Sequence, residues 1–114
     1  MGRWHNLNEM TKSAVHVLIS GAAGQIGYSL IPLVAGGQML GTDQPVVLHL
    51  LDIEPVQTVL EGVVMEIQDG AYPLVQGVVA TTDYAQAFVD VDIAILVGGF
   101  PRKKVRGFIV VLMF

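Results

Sequence analysis

Apolar residues along this chain fall into short unbroken runs, separated by stretches in which they recur at helical spacing. Val15-His16-Val17-Leu18-Ile19-Ser20 is a run of strand character that stops at Gly21. From Gln25 the period changes: Ile26, Leu30 and Leu33 or Val34 recur on one helical face, with Pro32 inside as a potential kink and Gly36-Gly37 as a stop. Residues 41–45 read as loop. Val46 to Leu51 is a second strand, ended by Asp52. Pro55 suits the first turn of a second helix, whose face is Val56, Val59, Leu60, Val63 and Ile67 and which Gly70 and Pro73 end. A third strand runs from Val78 to Thr81. Thr82 then caps a short helix through Phe88, and Ile93 to Val97 is a fourth strand with Gly98-Gly99 opening its C-terminal loop.

This alternation predicts an α/β fold: a Rossmann-like doubly wound parallel sheet with right-handed crossovers, incomplete, of about four strands. In such sheets the ligand crevice lies beyond the strand C-termini, where strand order reverses. Gly21, Asp52 and Gly98-Gly99 all end strands and so share that edge. The expected organisation is a loosely ordered extension over 1–13, a partial dinucleotide-binding domain over 14–104 and an atypical apolar tail over 105–114. The tail is long enough for one strand at most. No substrate or catalytic domain is expected within residues 1–114.

The stretch Gly21-Ala22-Ala23-Gly24-Gln25-Ile26-Gly27 carries the chemistry. A strand, a tight glycine turn and a helix N-terminus together form an anion cradle. The first-turn N–H groups lack partners, the helix dipole is positive there, and glycines let a pyrophosphate approach the backbone. The spacing Gly-x-x-Gly-x-x-Gly is one residue wider than the usual dinucleotide fingerprint, but the required context, strand before and helix after, is met. Asp52, at the tip of the second strand, is placed to accept hydrogen bonds from two ribose hydroxyls and to repel a 2′-phosphate. A plain structural turn and a solvated strand end are the alternatives for the two features.

Composition sharpens the picture. Hydrophobic residues make up 53% and charged ones 14%, which suits a sheet covered on both faces. The absence of cysteine excludes disulfides and thiolate metal sites, and the three histidines are too scattered in sequence to suggest a metal site. Of six cations, four stand at Arg102, Lys103, Lys104 and Arg106, against an acidic remainder. That balance argues against nucleic-acid binding and for one loop that receives an anion. No run reaches transmembrane length and no signal peptide is evident, so no membrane partner is expected.

Gly21-Ala22-Ala23-Gly24-Gln25-Ile26-Gly27-Tyr28-Ser29-Leu30, Asp43-Gln44-Pro45, Leu50-Leu51-Asp52-Ile53 and Val97-Gly98-Gly99-Phe100-Pro101-Arg102-Lys103 together closely resemble the cytosolic-type malate dehydrogenases, over about Val15 to Lys103. The resemblance implies NAD as cofactor and reversible oxidation of malate to oxaloacetate, a step of the tricarboxylic acid cycle, in a cytoplasmic homodimer. It implies that Gly21, Ala22, Ala23, Gly24, Gln25, Ile26 and Gly27 hold the pyrophosphate. Asp52 with Ile53 would hold the adenine ribose, and Gly98 and Gly99 would lie beside the nicotinamide ribose. Arg102 would bind a carboxylate of the dicarboxylate substrate, where lactate-specific relatives have an uncharged residue.

The chain departs from that family after Lys103. Lys104-Val105-Arg106-Gly107 replaces the segment bearing the family's second arginine, which follows six residues after the first, so Arg106 inherits no role. None of the family's catalytic residues is carried over. His5, His16 and His49 match none of them, and His16 and His49 are expected to be structural. Three readings follow: a malate dehydrogenase of which this chain covers the front of the cofactor domain, an inactive nucleotide-binding fragment, or a short-chain-type epimerase or reductase. The last needs a Tyr-x-x-x-Lys pair, and Tyr28, Tyr72 and Tyr84 have no lysine four residues on. The expected behaviour of the chain by itself is weak or absent NAD binding, no malate oxidation, and association through an open edge of the fourth strand, part of which the tail from Gly107 to Phe114 could cover.

Overall fold

The computed structural model describes residues 12–98 and 108–113. In chain order the elements are β1 (Val15–Ser20), α1 (Gln25–Ala35), β2 (Val46–Leu51), a 3-10 turn (Glu54–Val56), α2 (Gln57–Gly70), β3 (Val75–Thr81), α3 (Tyr84–Ala87), β4 (Ile93–Gly98) and β5 (Phe108–Met113). They build one sheet of order β3-β2-β1-β4-β5. The first four strands are parallel; β5 runs antiparallel to β4, with Ile93 opposite Met113 and Gly98 opposite Phe108. The order reverses between β1 and β4, the switch point of a doubly wound fold.

The strands read as unbroken apolar runs because both faces are covered. On one face Val17, Ile19, Leu48, Leu50, Ile93 and Ile95 pack with Ile31 and Val34 of α1 and with Leu60, Val63 and Ile67 of α2. Each side chain fully removed from water there contributes about 1.5–3 kcal/mol of burial. On the other face Leu18, Leu51 and Ala94 pack around Ala87 of the one-turn α3.

Several expectations are corrected. The sheet has five strands, not about four, so β4 is not an open edge. The apolar tail supplies β5, because six apolar residues without proline find a full row of free ladder groups on β4. The outer edge is now β5, where Val111 and Met113 are exposed. The third strand starts at Val75 rather than Val78, since the ladder to β2 continues past Gly77 across a register shift at Val46/Val47. Thr82 does not cap α3. Asp83 does, accepting from the Ala85 N–H at 2.9 Å, while Thr81 Oγ1 accepts the Asp83 N–H at 3.0 Å. Pro32 does not interrupt α1. At the N-terminal end, Lys12 Nζ bonds Asp43 Oδ2 at 3.1 Å, and Ser13 O accepts from Gln44 Nε2 at 2.8 Å, so these two residues are tied to the body. The lysine holds the Asp43 carboxyl below its ordinary range. The rest of the 1–13 extension lies outside the described residues.

Candidate functional site

The glycine turn joins the C-terminal end of β1 to the N-terminus of α1. Gly21 has φ +64°, a left-handed conformation that a side chain rarely tolerates. Its carbonyl accepts the Gly24 N–H at 2.9 Å, and Gly24 O accepts the Tyr28 N–H at 2.8 Å, which starts the helix. Gly27 is the tightest position. A Cβ built there would lie 2.2 Å from Gly21 O and 2.7 Å from Gly21 C, so helix and turn touch backbone to backbone. At Gly24 the corresponding approach is 3.2 Å, tight but not prohibitive.

Asp52 reaches across from the end of β2 and fastens this turn. Its Oδ2 accepts the Ala23 N–H at 2.8 Å and its Oδ1 accepts the Ile53 N–H at 2.8 Å. Ala22 N–H bonds Leu51 O at 3.3 Å, so the turn is sewn to β2 at successive residues. Four lone-pair sites on a carboxylate leave room for further donors. Ile53 beside it is 48% exposed, an apolar ledge open to a ligand.

Helix α1 begins without a side-chain cap and without an acidic residue in its first turn. The N–H groups of Gln25, Ile26 and Gly27 find no acceptor among the described residues. Gln25 and Ile26 are exposed while Gly27 is buried, so the first two donors and the positive end of the dipole face solvent. Absent Cβ atoms, orphan N–H donors and a neighbouring carboxylate fit the diphosphate and ribose of a dinucleotide.

Ser20, which the sequence reading passed over, ties the two strands that flank the switch point. Its Oγ accepts the Val97 N–H at 2.8 Å and faces Val97 O at 3.4 Å. The ladder between β1 and β4 stops at Ile19/Ile95. The hydroxyl therefore takes over where main-chain pairing ends and the strands diverge. A polar residue closing an apolar strand was the available signal.

The structure brings Gly21, Ala22, Ala23, Gly24, Gln25, Ile26, Gly27, Asp52 and Ile53 together at one edge. Gly98 belongs to β4 rather than to a loop, as the rung opposite Phe108. Gly99 and Arg102 lie outside the described residues. His16 and His49 are not at this edge. They bond each other within β1 and β2, His16 Nδ1 to His49 Nε2 at 2.8 Å. No group of three or more histidine, aspartate or glutamate side chains among the described residues is arranged to hold a metal. A cleft of about 230 Å³ beside Ile67, Tyr72, Val75 and Val78 lies against α2 and β3, with no residue of the glycine turn in its lining.

Residues 15–106 match the family model of the lactate/malate dehydrogenase NAD binding domain. Over 95 residues, 83% of this chain, the sequence is 60% identical to a cytoplasmic malate dehydrogenase of Medicago sativa and 59% identical to a malate dehydrogenase of Nicotiana tabacum. A crystal structure of malate dehydrogenase from Naegleria fowleri superposes with a TM-score of 0.77 at 46% identity over 81% of the chain. Trichomonas vaginalis lactate dehydrogenase, in complex with NADH and oxamate, gives 0.75 at 49% identity over 82%. The chain spans only 28–29% of the length of these relatives. With the glycine turn, the acidic strand end and the switch-point topology all in place, this chain belongs to the lactate/malate dehydrogenase family, as part of its NAD-binding domain.

Proposed function

We propose that this chain is the front of the cofactor domain of an NAD-dependent malate dehydrogenase, and that it holds cofactor without itself completing the reaction. The observation that carries the first half is the Asp52-fastened glycine turn, with the orphan N–H groups of Gln25 and Ile26 at an exposed helix start. In this reading Gly21 to Gly27 cradle the pyrophosphate, and Asp52 and Ile53 face the adenine ribose. Gly98 and Gly99 border the nicotinamide side. NAD, when bound, supplies the hydride acceptor for an alcohol. The turn contributes backbone donors already in place, so no ordering cost falls on the binding step. Asp52 contributes charge that disfavours a 2′-phosphate.

Oxidising an alcohol also requires a base within hydrogen-bond reach of its hydroxyl. Among the described residues the polar side chains near this edge are engaged: Asp52 accepts the Ala23 and Ile53 N–H groups and faces the ribose, and the Ser20 hydroxyl is bound to Val97, while His16 and His49 lie away from the edge and bond each other. The division into a cofactor part over 14–104 and a tail over 105–114 follows from this reading.

The substrate is a dicarboxylate, malate or oxaloacetate, selected by Arg102. Identities of 46% and 49% to a malate and a lactate dehydrogenase leave that choice to local residues rather than to the fold. A guanidinium can grip a carboxylate through two parallel hydrogen bonds, which a lactate-type side chain does not require. The site of action is the cytoplasm, supported by the names of the plant relatives. No described helix is long and apolar enough to cross a membrane. Homodimer formation is supported by the outward apolar residues of α1 and α2, among them Leu33, Val59 and Met65.

NADH titration followed by a malate-oxidation assay on the 114-residue chain tests the proposal. Weak NADH binding without malate-dependent reduction of NAD is expected. Turnover at ordinary enzyme rates, roughly 1–10³ per second, would overturn it. Sequencing the transcript past the codon for Lys104 separates the two readings that remain: a frame continuing into a catalytic half supports the enzyme, and a frame that encodes Val105 to Phe114 and then stops supports the fragment.

A further inference from the structure

The face of the sheet under α3 carries a second polar feature that the cofactor site does not use. His16 of β1 sits opposite Val47, and His49 of β2 opposite Leu18, so both side chains leave the sheet on the same side. Their rings lie 5.0 Å apart, tilted by 54°. His16 Nδ1 meets His49 Nε2 at 2.8 Å, and His49 Nδ1 meets the carbonyl of Ala87, in α3, at 2.9 Å. His49 is 3% exposed, buried beside Leu18, Leu51 and Ala87.

The tautomers follow from the partners. A carbonyl only accepts, so His49 carries its proton on Nδ1, and its Nε2 is a bare lone pair. That lone pair needs a donor, so His16 carries its proton on Nδ1. The one nitrogen left with a free lone pair is His16 Nε2. We propose that His16 and His49 form a proton-sensitive clamp holding α3 on β1 and β2, closed with no added proton or one, and opened by a second. A first added proton enters at His16 Nε2 and leaves every bond of the chain Ala87–His49–His16 intact. A second has only His49 Nε2 to occupy, which sets two N–H groups nose to nose across 2.8 Å. The ring must then leave Ala87 or leave the core.

The charged neighbours are Asp90 and Asp92, both in the connection from α3 to β4. Asp92 Oδ2 accepts the His16 N–H at 2.9 Å, and Asp92 N–H bonds His16 O at 2.9 Å. Burial dominates at His49 and holds its pKa below the ordinary 6.5, with the neighbouring His16 acting in the same direction. The Ala87 bond and the two aspartates oppose it. A histidine whose folded pKa is depressed contributes its full share of stability above the unfolded value and loses it as pH falls through the folded one. The loss therefore begins near pH 6.5 and deepens below it.

Nitrogen-15 NMR of the imidazoles in the full chain tests this directly. At pH 8 both rings are expected as Nδ1–H tautomers, and on acidification His16 is expected to take a proton before His49. Equilibrium unfolding provides the second readout. From pH 7 to 5.5 the folded-to-unfolded ratio should fall toward the limit of tenfold per pH unit for one proton. In His16→Gln, whose amide can still donate to His49 without titrating, the fall should be shallower. An Nε2–H tautomer for His49, simultaneous titration of the two rings, or identical pH slopes in both proteins would each overturn the clamp.

Discussion

Two helix-interior glycines should respond oppositely to the same added methyl group. In α1, a Cβ at Gly27 would stand 2.2 Å from Gly21 O and 3.1 Å from Ala22 Cα, against an ordinary carbon contact of about 3.5 Å or more. Those neighbours are backbone, fixed by the Asp52 and Leu51 bonds, so the turn must move by about 1 Å. Overpacking of this kind costs about 1–3 kcal/mol, and more where relief is blocked. The gain in helix propensity from Gly to Ala, about 0.8–1 kcal/mol, offsets only part of it. In α2, a Cβ at Gly62 meets nothing within 4 Å, so the propensity gain stands alone. Gly27→Ala should therefore destabilise by about 1–2 kcal/mol and Gly62→Ala stabilise by up to about 1 kcal/mol. Differential scanning calorimetry should register roughly 4–8 °C per kcal/mol, in opposite directions. NADH titration supplies a second axis. Displacing Gly21 disturbs the cradle, so affinity should fall in Gly27→Ala and hold in Gly62→Ala. A Gly27→Ala protein as stable as the parent, with unchanged affinity, would refute the backbone contact between turn and helix.

Asp52→Ser should narrow the preference for NAD over NADP yet weaken NAD, because the Ala23 and Ile53 N–H groups lose their acceptor, contacts typically worth about 1.5–3 kcal/mol before solvent screening; paired titrations check this, and an undiminished NAD affinity would show that Asp52 neither holds the ribose nor supports the cradle. Ser20→Ala should lower stability by about 1–3 kcal/mol by leaving the Val97 N–H unpaired, and Ser20→Thr, which restores the hydroxyl, should recover most of it in denaturant titrations. In a chain completed to the length of its relatives, Arg102→Gln should reduce oxaloacetate turnover far more than pyruvate turnover, and equal losses in kcat/KM would reject a carboxylate-binding role.

The parts legible in the sequence were those set by local pattern. Strands buried on both faces announce themselves as apolar runs, and the Gly21–Gly27 turn is written in three glycines between a strand and a helix. What depended on a distant partner was not legible. The tail's apolar residues specify a strand, but only the free edge of β4 makes it a neighbour there. Thr82 suits a cap by residue type, whereas Asp83 has the chain geometry to reach the Ala85 N–H. Asp52 read as a ribose ligand, yet its bond to Ala23 requires knowing that β1 and β2 end side by side. His16 and His49 became partners only through the register that places them on one face. Arg102 and Gly99, read from resemblance, lie beyond the described residues.

The sheet has unequal seams. From β3 through β2 to β1, and again from β4 to β5, strands are laddered along six rungs or nearly so. Between β1 and β4 the ladder runs only from Val17/Ile93 to Ile19/Ile95, extended by the His16–Asp92 bonds at one end and by the Ser20 hydroxyl at the other. Subglobal opening follows the least costly boundary. Amide exchange should thus divide the molecule into a β1–β2–β3 unit with α1 and α2, and a β4–β5 hairpin that comes away whole. That boundary coincides with the crevice where a dinucleotide would lie across both halves. A ligand bridging it would act as the missing rungs, and slower exchange of the hairpin amides would report its occupancy without any chemistry taking place.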